Sequence, residues 1–237
     1  MTEPVGYRRD GRVATITIDD GKVNAFSAVL LQGLHAALDR AEADGSVVIL
    51  TGRDGYFSAG FDLRVINGPV GPRVELLRLG ATAAARLLAF PTPVVAACSG
   101  HAYPAGAFLL LAADRRVGVA GPYRIGLNEV RIGLTVPWFA VELARYRLHP
   151  AQFDRTTVTG ALYSPAAAAD AGFLDRVVAA GGLETAARAE ADELAALDPT
   201  AHAATKLRAR AEVLRRVREA IDTELTVDSL AQPMRLS

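Results

Sequence analysis

One segment of the chain is hydrophobic on every face, and this property limits what the chain can fold into. Residues 105–113 read AGAFLLLAA and follow Pro104, a residue that favours the start of a helix. A helix without a polar face must be covered by other elements on all sides. We therefore predict a central helix, and the 237 residues, 51% of them hydrophobic, are enough to build a large core around it in at most two domains.

Short apolar runs alternate with amphipathic helical segments before Pro137, which indicates an α/β fold. Ser27 is the predicted N-cap of the first helix, and a second amphipathic helix is predicted over residues 73–88. Beyond Pro137 the pattern is helical almost throughout, with one late strand expected. The predicted strands cover residues 12–18, 46–51, 94–98, 115–120 and 175–178.

Charge and cysteine content exclude several classes of function. The chain has 26 basic and 26 acidic residues, so no overall field attracts nucleic acid or an anionic membrane. Cys98 is the only cysteine, which excludes an intrachain disulfide and a cysteine-rich zinc site. The first 20 residues lack a signal-peptide pattern, and the apolar run at 105–113 is too short to cross a membrane. We expect a cytoplasmic protein.

Two glycine-containing loops are predicted after buried strands, at residues 55–63 (GYFSAGFDL) and 99–106 (SGHAYPAG). In the second, Pro104 leaves the amides of Ala105 and Gly106 without helical partners, at the positive end of a helix dipole. Two such amides that converge on one point form an oxyanion hole. The alternative is that Gly60 and Gly106 only permit turns and close packing, and spacing alone does not choose between them.

Glu129 is a candidate general base because it lies among apolar residues, in IGLNEV at 125–130. Burial disfavours the charged carboxylate and raises its pKa toward neutrality, where the group can exchange protons. The alternative is an N-cap or surface glutamate paired with Arg124 or Arg131. Both interpretations are consistent with the local sequence.

Three motifs together resemble the crotonase superfamily, also called the enoyl-CoA hydratase/isomerase family. They are FSAGFDL at 57–63, ACSGHAYPAG at 97–106 and IGLNEVRIGL at 125–134, and the resemblance extends to KVNAF at 22–26 and to residues 159–178. It implies a ββα spiral with two stacked sheets surrounded by helices. Residues 1–180 would form this core with the acyl-CoA site, and residues 181–237 a helical trimerisation region of a homotrimer or a hexamer, a dimer of trimers.

The last helical stretch, residues 205–231, carries an apolar stripe that could cover its own core or a neighbouring subunit.

The resemblance also assigns roles to individual residues. It places the two oxyanion amides on Phe61 and Ala105 and the catalytic base on Glu129. Asp62 is expected to cap the short helix that follows the first loop. No metal and no separate cofactor are implied, since coenzyme A is part of the substrate. Substrate contacts are expected from the adenine-side strip Lys22, Asn24 and Ala25, from the pantetheine and thioester strip Ala59, Gly60, Phe61, Asp62 and Leu63, and from Ala105, Phe108, Asn128 and Trp138.

Phe108 separates this chain from hydratases of the family. Those enzymes hold water with two glutamates, and Phe108 occupies the position of the first. The sequences PAG, IGLNE and VPWF resemble the mitochondrial-type Δ3,Δ2-enoyl-CoA isomerase branch, in which one base suffices. We therefore expect an isomerase with Glu129 as its single proton shuttle, kept dry by Phe108, Trp138 and Phe139. The alternatives are an enoyl-CoA hydratase of fatty-acid β-oxidation and a non-catalytic acyl-CoA-binding homologue.

Overall fold

The computed structural model describes residues 3–231, so the outer ends of the predicted ranges 1–180 and 181–237 lie outside the described residues. The chain alternates strands and helices up to residue 178 and is helical beyond it. The strands are β1 Val5–Asp10, β2 Val13–Ile18, β3 Val47–Gly52, β4 Gly55–Ser58, β5 Val94–Cys98, β6 Gly100–Ala102, β7 Arg115–Val119, β8 Ile125–Gly126, β9 Leu162–Tyr163 and β10 Arg176–Val178. The helices are α1 Ala28–Ala43, α2 Leu63–Ile66, α3 Val70–Ala89, α4 Ala105–Ala112, α5 Trp138–Arg147, α6 Pro150–Thr157, α7 Pro165–Ala171, α8 Leu183–Ala195, α9 Pro199–Ala209, α10 Ala211–Glu224 and α11 Val227–Ala231.

Two sheets organise the molecule, which confirms the predicted α/β fold. The larger sheet has the order β1-β2-β3-β5-β7-β10, and every pair in it except β1 and β2 is parallel. Its central strands are apolar on both faces because helices cover both sides of the sheet. The smaller sheet has the order β4-β6-β8-β9.

The smaller sheet corrects the prediction of loops at residues 55–63 and 99–106. β4 and β6 begin these segments and pair in parallel, with Gly55 opposite Gly100. A Cβ atom on Gly100 would lie 2.0 Å from the backbone of Gly55, so the glycine permits the close approach of two strands. The expectation of a single late strand was also wrong, because β9 lies between α6 and α7. Strands of two to four residues are too short to show an alternating pattern.

Helix α4 lies at the centre of the molecule, as its composition predicted. Every residue from Ala105 to Ala112 is buried. Helices α3 and α5 pack against it, and β6 lies at its N-terminal end. The start of α4 is therefore fixed on several sides.

The C-terminal helices cover the chain's own core. The apolar stripe of α10 is buried against α3 and α5 and belongs to the main hydrophobic cluster. Helix α8 covers the large sheet through Ala187, Ala191 and Ala195. This burial resolves the two alternatives for the stripe in favour of the chain's own core, although Leu207 is 48% exposed. The trimerisation role of residues 181–237 stays a prediction.

A buried ion cluster fastens these helices to the large sheet. Asp114 accepts hydrogen bonds from Lys206 Nζ at 2.7 Å and from Val94 N–H at 2.7 Å, and it pairs with Arg210 at 2.7 Å. Burial lowers the pKa of Lys206 to about 8, against the opposing effect of Asp114. Arg210 also donates to Leu88 O at 3.0 Å.

Between residues 3 and 231, no helix is both long and apolar enough to span a bilayer.

Candidate active site

A cavity of about 590 Å³ brings together six of the residues predicted from sequence. Its walls come from the β4–α2 connection and α2, from α3, from the β6–α4 connection and α4, from the segment after β8, and from α10 and α11. The predicted residues on these walls are Ala59, Phe61, Leu63, Phe108, Asn128 and Glu129.

Glu129 is buried in the wall of this cavity, with 3% of its surface exposed. Neither carboxylate oxygen has a hydrogen-bond partner within residues 3–231, and burial raises the pKa of the carboxyl group to about 7. The alternative pairing with Arg124 or Arg131 is wrong, since Arg131 donates instead to Gly160 O. Glu129 does occupy the N-cap position of a 3-10 turn, but its side chain makes no capping bond. A desolvated carboxylate with a pKa near neutrality is suited to proton transfer.

A tight turn holds Glu129 in this position. Its carbonyl accepts hydrogen bonds from Ile132 N–H at 3.0 Å and Leu134 N–H at 2.9 Å, and Gly133 has a φ of +76° between them. The neighbouring Asn128 also lines the cavity, and its Oδ1 is buried without a hydrogen-bond partner in the described chain. Two acceptor side chains that are adjacent in sequence therefore belong to the same wall.

The predicted amides lie where the two glycine-containing connections meet. Gly60 has a φ of +96°, and a Cβ atom there would lie 2.5 Å from Pro104 Cδ. The amides of Phe61 and Ala105 have no acceptor among the described residues, whereas Asp62 N–H donates to Phe26 O. Gly106 permits close packing too, because its Cβ would lie 2.9 Å from Ser58 O. The glycines thus permit close packing, and the same geometry leaves two amides free.

Aromatic side chains contribute to the apolar part of the site, together with aliphatic residues of the lining. Phe108 is 2% exposed and lines the cavity. The centroid of its ring lies 6.4 Å from the ring centroid of Phe61 and 5.1 Å from that of Phe139. Phe139 packs against Phe108 from outside the cavity lining. The side chain of Trp138 is 62% exposed and lies outside the lining as well, so the roles expected of Phe139 and Trp138 in the site stay predictions. Position 138 starts α5, where adjacent side chains point in different directions.

Asn24 has an internal structural role, and its predicted contact with a ligand stays a prediction. Its side chain is fully buried and donates to Ile18 O at 2.8 Å and Tyr56 O at 3.0 Å, while Oδ1 accepts from Asp20 N–H. Its φ of +54° reflects the turn that these bonds maintain. The turn places the 22–25 strip beside the site, since Ala59 N–H donates to Val23 O at 3.0 Å. Contacts of Lys22 and Ala25 with a ligand stay predictions.

Asp62 caps α2, as expected. Its carboxylate accepts from Arg64 N–H at 3.0 Å, and hydrogen bonds from the Arg64 guanidinium lower the pKa of Asp62. The cap fixes the start of α2 directly after Phe61. Asp62 itself is not part of the cavity lining.

Sequence reasoning missed the wall that the C-terminal helices supply. Glu224 ends α10 and lines the cavity, and its Oε2 accepts from Trp138 N–H at 2.7 Å. Burial raises the pKa of Glu224. Arg73 of α3 and Ser229 and Leu230 of α11 line the cavity as well. The only available signal was a glutamate at the end of an apolar stripe, which does not identify a site by itself.

The fold and the cavity define an enzyme of the crotonase class. The sequence matches the enoyl-CoA hydratase/isomerase family over residues 8–232, and the chain belongs to this family. The residue motifs that carried the resemblance are the segments that meet around the cavity.

Solved structures agree at the level of the family. A Mycobacterium tuberculosis enoyl-CoA isomerase is 42% identical, with a TM-score of 0.90 over 94% of this chain and 97% of that one. A Mycobacterium marinum enoyl-CoA hydratase is 40% identical, with a TM-score of 0.89 over 92% and 96%. The human mitochondrial Δ3,Δ2-enoyl-CoA isomerase is 26% identical, with a TM-score of 0.86 over 96% and 93%. The predicted membership of the enoyl-CoA hydratase/isomerase family is confirmed. The predicted resemblance to the mitochondrial-type isomerase branch rests only on the distant similarity to the human enzyme.

Proposed function

We propose that the protein is an enoyl-CoA isomerase that moves the double bond of a 3-enoyl-CoA to the 2-position through a thioester enolate. The observation that carries the proposal is Glu129, a buried carboxylate without a hydrogen-bond partner in the described chain, in a cavity where Phe108 replaces the other glutamate of family hydratases. Glu129 removes a proton from C2 and returns it to C4, so a single group completes the cycle.

The amides of Phe61 and Ala105 are proposed to stabilise the enolate oxygen. When the C2 proton leaves, its electron pair delocalises onto the thioester oxygen, and donors already aimed at that point need no reorganisation. Each donor is worth about 3 kcal/mol in comparable sites. Support comes from the free amides at the meeting point of Gly60 and Pro104.

The protonation behaviour of Glu129 suits both halves of this cycle. With its pKa raised to about 7 by burial, the carboxyl group exchanges protons near neutral pH, so it can both accept and return a proton. The rings of Phe61, Phe108 and Phe139 keep water from competing for the dienolate.

Binding of the coenzyme A portion is proposed for the strips at residues 22–25 and 59–63. The support is their side-by-side arrangement, joined by the bond from Ala59 N–H to Val23 O. Asn128 is proposed to flank the acyl carbonyl, since it lines the cavity beside Glu129.

One observation favours hydration as a second candidate function. Glu224 contributes another carboxylate to the same cavity, and hydration uses two acids. An enoyl-CoA hydratase of β-oxidation would then hold its water through Glu224 in place of the residue at position 108.

The test is to supply a 3-enoyl-CoA and, separately, a 2-enoyl-CoA, and to follow both double-bond migration and water addition. We expect migration without hydration in the wild type, loss of migration in Glu129→Gln, and a gain of hydration in Phe108→Glu. Glu184→Gln, which alters a side chain that is 89% exposed, is the control. Hydration comparable to migration would favour the hydratase. Tight acyl-CoA binding without turnover would favour a non-catalytic homologue.

The assembly is proposed to be a homotrimer or a dimer of trimers. Exposed apolar side chains follow Glu129 in one short segment, at Val130, Ile132, Leu134 and Trp138, with exposures from 37% to 62%. Burial of these side chains against a second copy would remove them from water. Mass measurement in solution tests this proposal, and a monomer would contradict it. The cytoplasmic location stays a prediction.

A further inference from the structure

Glu224 is a cavity residue to which the proposed reaction gives no role. Its Oε2 is occupied by Trp138 N–H at 2.7 Å, and its Oε1 has no hydrogen-bond partner among residues 3–231. The carboxyl group is partly withdrawn from water, which raises its pKa. One oxygen is therefore available to a ligand inside the cavity.

Arg73 contributes the opposite charge to the same cavity. Its Nε is buried without a partner in the part of the chain that the structure describes, and its terminal nitrogen donates to Leu230 O at 3.4 Å. Within that part of the chain, Arg73 donates to Leu230 O and Glu224 accepts from Trp138 N–H, and the two side chains do not bond to each other. We call the surface formed by Arg73, Glu224 and Leu230 the polar wall.

The polar wall is poorly suited to an acyl chain made only of carbon and hydrogen. Such a chain would remove water from both charged groups and offer no hydrogen bond in return. A terminal carboxylate would be attracted by Arg73 and repelled by Glu224, and an amine would experience the reverse. A hydroxyl group is neutral, donates one hydrogen bond and accepts others, so it can satisfy either group without a charge conflict.

We propose that the polar wall selects 3-enoyl-CoA substrates whose acyl chain carries a hydroxyl group beyond the double bond, with Glu224 as the residue that determines this specificity. The inference rests on the proposed isomerase function of the same cavity. It adds the class of acyl group to the reaction that Glu129 performs.

The experiment compares 3-octenoyl-CoA with its 6-, 7- and 8-hydroxy derivatives in the isomerisation assay. We expect at least one hydroxylated substrate to have a kcat/KM about tenfold above that of the plain chain, as one hydrogen bond to a charged group provides. Glu224→Leu should remove this preference, so that plain and hydroxylated substrates have similar kcat/KM values. Asp228→Asn changes an exposed residue of α11 outside the cavity and should keep the preference.

Two further measurements separate specificity from folding and from the proposed function. Glu224→Gln keeps an oxygen for Trp138 N–H, so it tests the preference if the leucine variant does not fold. Calorimetric binding of octanoyl-CoA and its hydroxylated forms reports on the wall without any turnover. A hydroxyl preference in binding without isomerisation would contradict only the proposed function. Equal affinities, or equal losses for plain and hydroxylated chains in Glu224→Leu, would overturn the inference.

Discussion

The two carboxylates of the cavity are held in different ways. Glu129 lies in a tight turn of the backbone. Its carbonyl oxygen accepts hydrogen bonds from the amides of Ile132 and Leu134, three and five residues later in the chain. Glu224 ends a long helix and is held by Trp138 N–H, which belongs to a helix far away in sequence. The proposed base is thus positioned by local backbone geometry, and the polar wall is positioned by helix packing. Changes in the core should therefore affect substrate preference before they affect proton transfer.

The largest contrast is expected from removing each carboxylate in turn. Glu129→Gln should lower kcat for isomerisation by about a thousandfold, because general acid–base groups contribute factors of this order. Glu224→Gln should lower kcat for a plain chain by less than about tenfold, since it removes no proton carrier from the proposed cycle. Steady-state kinetics with 3-octenoyl-CoA measures both. Similar losses in the two variants would mean that both groups carry protons.

Asp114→Asn is expected to disturb the polar wall through the core. The substitution leaves the buried cations of Lys206 and Arg210 without their carboxylate, which costs about 3 kcal/mol of unfolding free energy. The hydroxyl preference should decrease while the plain-chain kcat persists. Urea denaturation measures the stability, with Glu184→Gln as the control because its ion pair with Arg8 is exposed. A stable variant with a normal preference would contradict the coupling.

The pH dependence should identify Glu129. Its folded pKa of about 7 exceeds the ordinary value of 4.5, so the folded state binds more protons between these values. The contribution of Glu129 to stability is therefore greatest below pH 4.5 and falls by about 3 kcal/mol as the pH rises through 7. The kcat/KM of isomerisation should rise over the same range, with a midpoint near 7. Glu129→Gln should remove this component of the stability profile, and an unchanged profile would contradict the assignment.

A smaller effect on the proposed reaction is expected from Gly60→Ala, which acts through the backbone next to Phe61. Alanine at a φ of +96°, with its Cβ 2.5 Å from Pro104 Cδ, should cost about 2 kcal/mol of stability and shift the Phe61 amide. The hydroxyl preference should survive this loss of rate. Gly181→Ala is the matched control, because its φ is +82° with no atom within 4 Å of the added carbon. Equal effects of the two substitutions on rate would mean that the contact with Pro104 is unimportant.

Features of the structure that depend on residues close together in sequence were easier to predict than features that depend on residues far apart in sequence. The central position of α4 follows from residues within a few positions and was predictable, whereas the local sequence left the burial of Glu129 open. The small sheet was not recognised because its strands are short and the glycines that permit their pairing also indicate loops. The burial of the Asn24 side chain and the exposure of the Trp138 side chain were not predicted, because neighbouring elements decide the direction of a side chain. Glu224 and Arg73 reach the cavity only through tertiary packing.

The position of the polar wall in the chain has a consequence during synthesis. A ribosome completes Glu129 about 10 s before it completes Glu224, at ordinary elongation rates for the intervening residues. During that interval α3 is already complete and α5 is completed, whereas α10, which covers both helices in the finished molecule, is not. The helices that α10 covers are therefore translated before their cover, and apolar surface that is uncovered in this way favours aggregation. Slow codons placed between these two glutamates would reduce the yield of active enzyme without changing its sequence.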